Sequence, residues 1–196
     1  DGRPLVTRDA GASRWWTRSI ARHLLRREAR ALATLDEIDG LPSLVSQDRD
    51  VLVRTYLDGE PLYVARPDDS AWFKAAAILL RRMHRAGVTH NDLAKEPNLL
   101  VRDDGSAGII DFQLAACSRS RSKLFRIAAY EDIRHLLKHK RTYRPDLLTK
   151  REQRILANPS PASRFWMGTV KPVYLFITRR LLGWADREGA ADRKHK

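Results

Sequence analysis

The spacing of hydrophobic residues predicts one long amphipathic helix near the start of the chain, from about Trp15 to Leu35. Its hydrophobic stripe contains Ile20, Leu24, Leu32 and Leu35. On roughly the opposite face an arginine recurs every four residues, at Arg14, Arg18, Arg22, Arg26 and Arg30. The stripe also contains one carboxylate, Glu28, which either pairs with a cation in the interior or reaches water at the edge of the stripe.

Short strands are predicted on both sides of this helix. Residues 3–8 and 51–56 are rich in hydrophobic and β-branched residues, and Asp58-Gly59 predicts a turn after the second segment. Residues 99–110 predict a hairpin, because two hydrophobic runs flank an Asp-Asp-Gly sequence.

Helical patterns dominate the remainder of the chain. A helix is predicted from about Ala71 to Arg85, with capping residues before it and Gly87 behind it. Its hydrophobic face contains Phe73, Ala76, Ala77, Leu80 and Met83. Three more helices are predicted, at about 124–139, 149–157 and 170–185. A strand-containing first part, a hairpin and a helical remainder predict an α+β fold with two unequal lobes.

The composition is that of a globular protein with an unusually high positive charge. Hydrophobic residues make up 43% of the 196 residues, which is enough for a core. The net charge of +13 predicts an acidic partner, such as nucleic acid, an anionic membrane surface or a phosphorylated ligand. Nucleic acid ranks last, because the sequence contains no helix-turn-helix spacing, zinc-ligand set or RNA-binding aromatic motif. The sequence contains no run of about 18 or more apolar residues, so no membrane-spanning helix is predicted.

The single cysteine and the tryptophans are interpreted as packing residues. Cys117 excludes an internal disulfide framework, fits a reducing compartment and is expected to be buried. The tryptophans expected to pack, rather than to stack on bases, are Trp15, Trp16, Trp166 and Trp184. Residues 170–187 combine aromatic residues with arginines, which fits a core helix with a basic rim and also a helix on a membrane surface.

The candidate chemistry lies around the hairpin. Residues 90–98 read HNDLAKEPN, and Asp111 follows the second strand. Because a hairpin brings its ends together, Asn98 and Asp111 are expected to lie close to each other, with Asp92 nearby. Carboxylate and amide oxygens are ligands that Mg²⁺ accepts beside phosphates, and a further carboxylate can accept a proton from an attacking hydroxyl. Turn formation explains any one of these residues but not their combination.

HNDLAKEPN followed by IIDFQ resembles the catalytic loop and metal-binding segment of the protein-kinase-like superfamily. The most similar type is the compact bacterial one, such as lipopolysaccharide (Kdo/heptose) kinases and RIO-like Ser/Thr kinases. The resemblance covers roughly residues 3–140 and is strongest over 84–115. It implies a two-lobe kinase fold, with a truncated or minimal N-lobe in residues 1–57 and a small, mostly helical C-lobe in residues 58–196. It also implies ATP and Mg²⁺ as cofactors.

The resemblance implies a role for each matching residue of the loop and hairpin. Asp92 would orient and partly deprotonate the acceptor hydroxyl, and His90 would be the structural histidine of the catalytic loop. Asn98 would hold the second metal ion. Asp111 would bridge Mg²⁺ to the β and γ phosphates of ATP.

The resemblance further implies that Glu28 is the helix carboxylate that pairs with a strand cation, and Arg8 stands where that cation is expected. Four departures accompany it. The asparagine follows the catalytic aspartate by six residues rather than five, Gln113 replaces a glycine, Arg8 replaces a lysine, and no Gly-rich phosphate loop precedes Arg8. Truncation is the expected explanation of the missing loop. The departures also motivate an alternative function, a catalytically inactive kinase-like binding module.

The phosphoryl acceptor is expected to be anionic. Residues 118–154 contain twelve Lys/Arg and four Asp/Glu, and they follow the segment where the superfamily places its substrate side. The acceptor would be a protein Ser/Thr or a sugar hydroxyl of an anionic glycolipid, and the charge favours the glycolipid. The expected location is the cytoplasm, with peripheral contact at the inner face of the membrane. Asp132 either holds the catalytic loop from a buried position or is a solvated helical charge.

Overall fold

The computed structural model describes residues 4–36 and 38–160 of the chain. Its helices are α1 (Arg18–Leu35), α2 (Leu62–Ala65), α3 (Ser70–Arg85), α4 (Lys123–Tyr143) and α5 (Lys150–Ala157). Its strands are β1 (Leu5–Asp9), β2 (Leu44–Gln47), β3 (Val51–Thr55), β4 (Glu60–Pro61), β5 (Val88–Thr89), β6 (Leu99–Val101), β7 (Ala107–Ile109) and β8 (Ala116–Cys117). The predicted helix at 170–185, residues 170–187, Trp166 and Trp184 lie outside the described residues.

The first sheet is antiparallel with the strand order β1-β3-β2, and α1 packs against it. Strand β1 places Arg8 opposite Leu52 of β3. A small core between helix and sheet consists of Ala10, Leu25, Ala29 and Leu52. Strand β2 was not predicted, because its four residues show little burial and carry a weak strand pattern.

Helix α1 buries the later part of the predicted stripe but not its beginning. Glu28, Leu32 and Leu35 are buried, whereas Ile20 is 61% exposed and the helix begins only at Arg18. The whole buried face contains Leu25, Glu28, Ala29, Ala31, Leu32 and Leu35. The expectation that Trp15 and Trp16 pack is also wrong, since they are 80% and 53% exposed.

Residues 56–59 do not form the turn that was predicted at Asp58-Gly59. They lead from the first sheet to β4, which pairs with β6 in a second antiparallel sheet of order β4-β6-β7. The predicted hairpin is confirmed, because β6 and β7 pair with Leu99 opposite Ile109. The linker therefore joins the sheet that carries Arg8 to the hairpin that carries Asn98.

Helices α1, α3 and α4 form the main core with this hairpin. The buried face of α3 contains Trp72, Phe73, Ala76, Leu79, Leu80 and Met83. Asp69 caps the helix by accepting a hydrogen bond from the backbone N–H of Ala71 at 2.9 Å. Among the described residues, no helix is long and apolar enough to cross a membrane.

A two-stranded pair of β5 and β8 joins the end of α3 to the segment after Asp111. Gly87, at φ +85°, ends α3, and an added Cβ would meet the Ser118 carbonyl oxygen at 2.5 Å. Cys117 lies in β8 and is exposed, so the prediction that it is buried is wrong. The strand is only two residues long and is covered on one side only, which hydrophobicity alone did not indicate.

Candidate active site

The loop of residues 90–98 begins with a buried histidine. The Nε2 of His90 lies 2.9 Å from the carbonyl oxygen of Ile110, and its Nδ1 accepts the backbone N–H of Asp92 at 3.3 Å. Burial lowers the pKa of His90, so the ring is neutral and donates through Nε2. The ring also contacts Phe112 edge to face at 4.9 Å. His90 therefore connects the loop to the segment after the hairpin and has no exposed atom for chemistry.

Asp132 of α4 holds the backbone of the same loop. Its carboxylate accepts the N–H groups of His90 and Asn91 at 2.8 and 2.9 Å, and it lies 3.1 Å from Nε2 of His84. The side chain is 1% exposed. Of the two interpretations of Asp132 from the sequence, the buried one is therefore correct.

Asp92 lies where the loop reaches the surface of the cleft, with its side chain 14% exposed. Its Oδ2 accepts a hydrogen bond from Nδ2 of Asn98 at 3.2 Å and forms an ion pair with Nζ of Lys95 at 2.9 Å. Its backbone carbonyl also accepts Nδ2 of Asn98, at 2.9 Å. These contacts orient the carboxylate. The cation Lys95 was not singled out from the sequence.

The hairpin connects Asn98 to Asp111. The backbone N–H of Ile110 donates to the carbonyl of Asn98 at 3.0 Å, so the residue before Asp111 is bonded to Asn98. Because Nδ2 of Asn98 donates twice to Asp92, its Oδ1 is available as an acceptor or ligand. Asp111 has φ +68°, a left-handed conformation that aspartate tolerates better than most residues. The structure therefore brings together the three residues that the sequence indicated.

A four-residue charge network reaches Asp111 from α1 and the first sheet. Glu28 is fully buried, and its carboxylate lies 3.3 Å from Nε of Arg8 and 3.4 Å from Nε of Arg54. A second nitrogen of Arg8 donates to Oδ1 of Asp111 at 3.2 Å. Burial raises the pKa of Glu28, and the charges of Arg8 and Arg54 oppose that rise. Of the two interpretations of Glu28 from the sequence, pairing with a cation in the interior is therefore correct.

Arg54 is the member of this network that sequence reasoning missed. It lies on β3 with its side chain 8% exposed, and burial lowers its pKa. The signal was present, because alternation along the strand places Arg54 on the same buried face as Leu52. A buried cation two residues from a buried leucine predicts a carboxylate partner.

The segment after Asp111 is held against α1 and the catalytic loop. Arg27 of α1 donates to the carbonyls of Leu114 and Ala115 at 2.8 and 3.1 Å. The side-chain amide of Asn91 donates to the same Leu114 carbonyl at 2.9 Å. The backbone around Gln113 is thus fixed by side chains from two elements, without a glycine.

The later part of the loop that begins at His90 is held by contacts with α4. Residues Glu96–Asn98 form a 3-10 turn, and Glu96 is 2% exposed. Its carboxylate accepts the hydroxyl of Tyr143 at 2.5 Å and lies 3.8 Å from Nδ1 of His139. His139 also contacts the Leu93 carbonyl at 2.8 Å. These anchors were not predicted, because they depend on pairing between residues more than forty positions apart.

The available ligands fit a magnesium ion that is shared with phosphates. Within residues 4–36 and 38–160 there is no group of three or more His, Cys, Asp or Glu that could hold a metal by themselves. Asn98 Oδ1 and the Asp111 carboxylate supply two oxygens on adjoining backbone. Mg²⁺ commonly takes one or two protein oxygens and completes its shell with waters and substrate phosphates.

Comparison with known proteins agrees with this geometry. Residues 2–118 match the model of a phosphotransferase enzyme family, APH. A comparison with curated proteins gives no match.

Two solved structures of the Rio2 kinase from Chaetomium thermophilum are similar in fold, one of them a complex with ADP, Mg²⁺ and phosphoaspartate. Each has a TM-score of 0.53 and 18% sequence identity over 72% of this chain. The chain spans 42% and 44% of those proteins, less than half of their length. The predicted two-lobe kinase-like fold is thereby confirmed. The chain belongs to the phosphotransferase enzyme family and is a member of the protein-kinase-like superfamily.

Proposed function

We propose that this protein is a kinase that transfers the γ-phosphoryl group of Mg-ATP to a hydroxyl group. The observation that carries the proposal is the double hydrogen bond from Asn98 to Asp92, together with the backbone bond from Ile110 to Asn98. These bonds hold the partly buried carboxylate of Asp92 against the amide of Asn98, and they connect Asn98 to the residue before Asp111. In-line phosphoryl transfer needs a group that positions the acceptor hydroxyl and metal ligands that bring a cation to the phosphates.

Asn98 and Asp111 would hold the metal–nucleotide complex. Bound Mg²⁺ would neutralise the charge of the β and γ phosphates. Asn98 would contribute Oδ1, which points away from Asp92 because the Nδ2 side of the amide is engaged there. Asp111 would contribute its carboxylate, and Arg8, which already contacts Asp111, would donate to phosphate oxygens.

Asp92 would orient the acceptor hydroxyl and accept its proton as the new phosphate ester bond forms. Lys95 neutralises the same carboxylate oxygen at 2.9 Å in the structure. A hydroxyl that binds at Asp92 would compete with Lys95, whose flexible side chain can turn toward the transferred phosphoryl group.

The acceptor is proposed to be anionic. Several of the basic residues of segment 118–154 are used internally, as in the pairs Lys140–Glu152 and Arg134–Glu131. Half of the exposed ones follow β8 directly, at Arg119, Arg121, Lys123 and Arg126, and the others are Arg141, Lys150, Arg151 and Arg154. This arrangement supports a glycolipid sugar carrying phosphate or carboxylate over a neutral Ser/Thr peptide. We propose that the reaction takes place in the cytoplasm, and at the inner face of the membrane if the acceptor is a glycolipid. We also propose that the boundary between the two lobes lies between residues 57 and 58.

The reaction is tested with radiolabelled ATP, with an anionic glycolipid and a Ser/Thr peptide library as acceptors. Asp92→Ala should lower phosphoryl transfer at least about 100-fold while Mg-nucleotide binding survives. Asp111→Ala should remove the metal-dependent part of nucleotide binding. Asp103→Ala is the matched control, because Asp103 is an exposed aspartate of the hairpin turn. Transfer at full rate by Asp92→Ala would contradict the assignment of the proton acceptor.

A catalytically inactive binding module is the second candidate, and the Arg8–Asp111 contact favours it. The contact occupies one oxygen of the proposed metal ligand with a fixed cation. Thermal-shift titrations with ATP, with and without Mg²⁺, separate the two candidates. The kinase proposal expects stabilisation that depends on Mg²⁺, whereas the inactive module expects no Mg²⁺-dependent stabilisation and no transfer.

A further inference from the structure

A second concave surface lies on the outer side of α1, on a face that does not carry Glu28. It is a cavity of about 440 Å³ between α1 and the turn that joins β2 to β3. Its lining is polar and basic and consists of Ser19, Arg22, Arg26, Gln47, Asp48 and Arg49. The volume is within the range of sites that bind small molecules.

The charges of this cavity are unbalanced. Arg22 forms a two-pronged pair with Asp50, with its NH2 nitrogen 3.0 Å from Oδ2, and this pair lowers the pKa of Asp50. Arg26 and Arg49 have no carboxylate within ion-pairing distance in the part of the chain that the structure describes. Asp48 is the only acid in the lining. Two guanidinium groups therefore face the cavity with one carboxylate to offset them.

Two further contacts define the available donors. The Nε of Arg26 donates to the carbonyl of Arg22 at 3.2 Å, which leaves its terminal nitrogens for another acceptor. Arg18, one helical turn before Arg22, has a buried Nε without a hydrogen-bond partner among the described residues. The charge of Arg18 also acts on Asp50, so this arginine lies beside the same turn.

We propose that this cavity binds a phosphate group, in the form of a phosphomonoester dianion, between Arg26 and Arg49. Arg22, Arg26 and Arg49 exceed Asp48 and Asp50 by one charge, and the neighbouring Arg18 raises the excess to two. A dianion offsets this excess, and its tetrahedral oxygens accept the paired N–H groups of an arginine. The cavity is large enough for the phosphate and a substituent. The proposal does not depend on the reaction at Asp92, because the cavity and the candidate active site share no lining residue.

A phosphate in this position would join α1 to the β2–β3 turn beside the existing Arg22–Asp50 pair. Helix α1 carries Glu28, and β3 carries Arg54, so the ligand would hold together the two elements that the Glu28–Arg54 pair already joins. A ligand that binds the conformation with α1 packed on the sheet more tightly than a loosened conformation increases the population of the packed conformation.

The site is tested by calorimetric titration of the whole chain with phosphoserine and with inorganic phosphate. Arg26→Gln/Arg49→Gln should weaken binding by about tenfold or more, because each loss removes a charge-assisted hydrogen bond. Arg30→Gln, a control on the same helix outside the cavity, should change it by no more than about twofold.

Three outcomes overturn the proposal: no saturable binding, unchanged binding by the Arg26→Gln/Arg49→Gln variant, or equal weakening by Arg30→Gln. If the double variant does not fold, as judged by circular dichroism, Arg49→Gln alone makes the same test, since Arg49 is an exposed turn residue. Flotation with phosphatidylcholine vesicles, with and without phosphatidate, distinguishes a lipid source from a soluble one. Loss of either interaction in the Arg26→Gln/Arg49→Gln variant supports the site.

Discussion

Replacement of Arg54 by Met should destabilise the protein through Glu28. The variant removes one of the two cations beside a fully buried carboxylate, at a distance of 3.4 Å. With an effective dielectric constant near 20, this pair is worth about 5 kcal/mol of attraction. The variant also no longer buries a guanidinium group, and Arg8 remains at 3.3 Å, so the free energy of unfolding should fall by about 2–4 kcal/mol.

The loss from Arg54→Met should depend on pH in a defined direction. Burial already raises the pKa of Glu28, and without Arg54 the pKa rises further. A carboxyl group whose pKa is higher in the folded than in the unfolded state binds more protons when folded. Stability therefore falls as the pH increases between the two pKa values. The destabilisation should be larger at about pH 8 than at about pH 5, where Glu28 can be protonated.

Urea unfolding at both pH values measures this effect. Arg30→Met is the control, because Arg30 is exposed on the same helix, and its effect should stay within about 0.5 kcal/mol. Glu28→Gln in the Arg54→Met background should recover part of the lost stability, since it removes the unpaired charge. Equal destabilisation at the two pH values, or no recovery by Glu28→Gln, would refute the reasoning.

Three further predictions concern the catalytic loop and α4. Tyr143→Phe removes the hydroxyl that binds Glu96, so kcat measured in steady-state assays should fall several-fold while the KM for ATP stays unchanged. A change in KM alone would contradict a role of Tyr143 in holding the loop. Asp132→Asn replaces an acceptor oxygen by a donor, and urea unfolding should show a loss of about 1–3 kcal/mol from the unpaired N–H of His90. Burial lowers the pKa of His135 to about 4. Stability should therefore fall as the pH decreases from about 6.5 to about 4, by at most about 3 kcal/mol, and His135→Gln should abolish that part of the pH dependence.

The parts of the fold that could be predicted depend on local signals. The hairpin of β6 and β7 follows from two hydrophobic runs around an Asp-Asp-Gly turn, and it fixes the relation between Asn98 and Asp111. Helix α3 follows from its stripe and its Asp69 cap. Glu28 was identifiable because a carboxylate on a hydrophobic stripe requires a partner.

The parts that could not be predicted depend on packing between distant segments. The exposure of Ile20 depends on how much of α1 the sheet and the main core cover, which the helical spacing does not indicate. The anchoring of Glu96 depends on Tyr143, 47 residues later. The path of residues 56–59 depends on pairing of β4 with β6, which no signal in the linker indicates.

Arginine contacts add to the hydrophobic contacts that position α1, whose Leu32 and Leu35 are buried in the main core. Arg27 binds the segment after Asp111, Arg22 binds the β2–β3 turn, and Glu28 receives Arg8 and Arg54 from the sheet. These contacts differ in exposure. The Arg22–Asp50 pair is partly exposed and is screened by salt, whereas the Glu28–Arg54 pair is buried and is screened much less. High ionic strength should therefore weaken the Arg22–Asp50 pair first, while the contact of Glu28 with Arg54 persists.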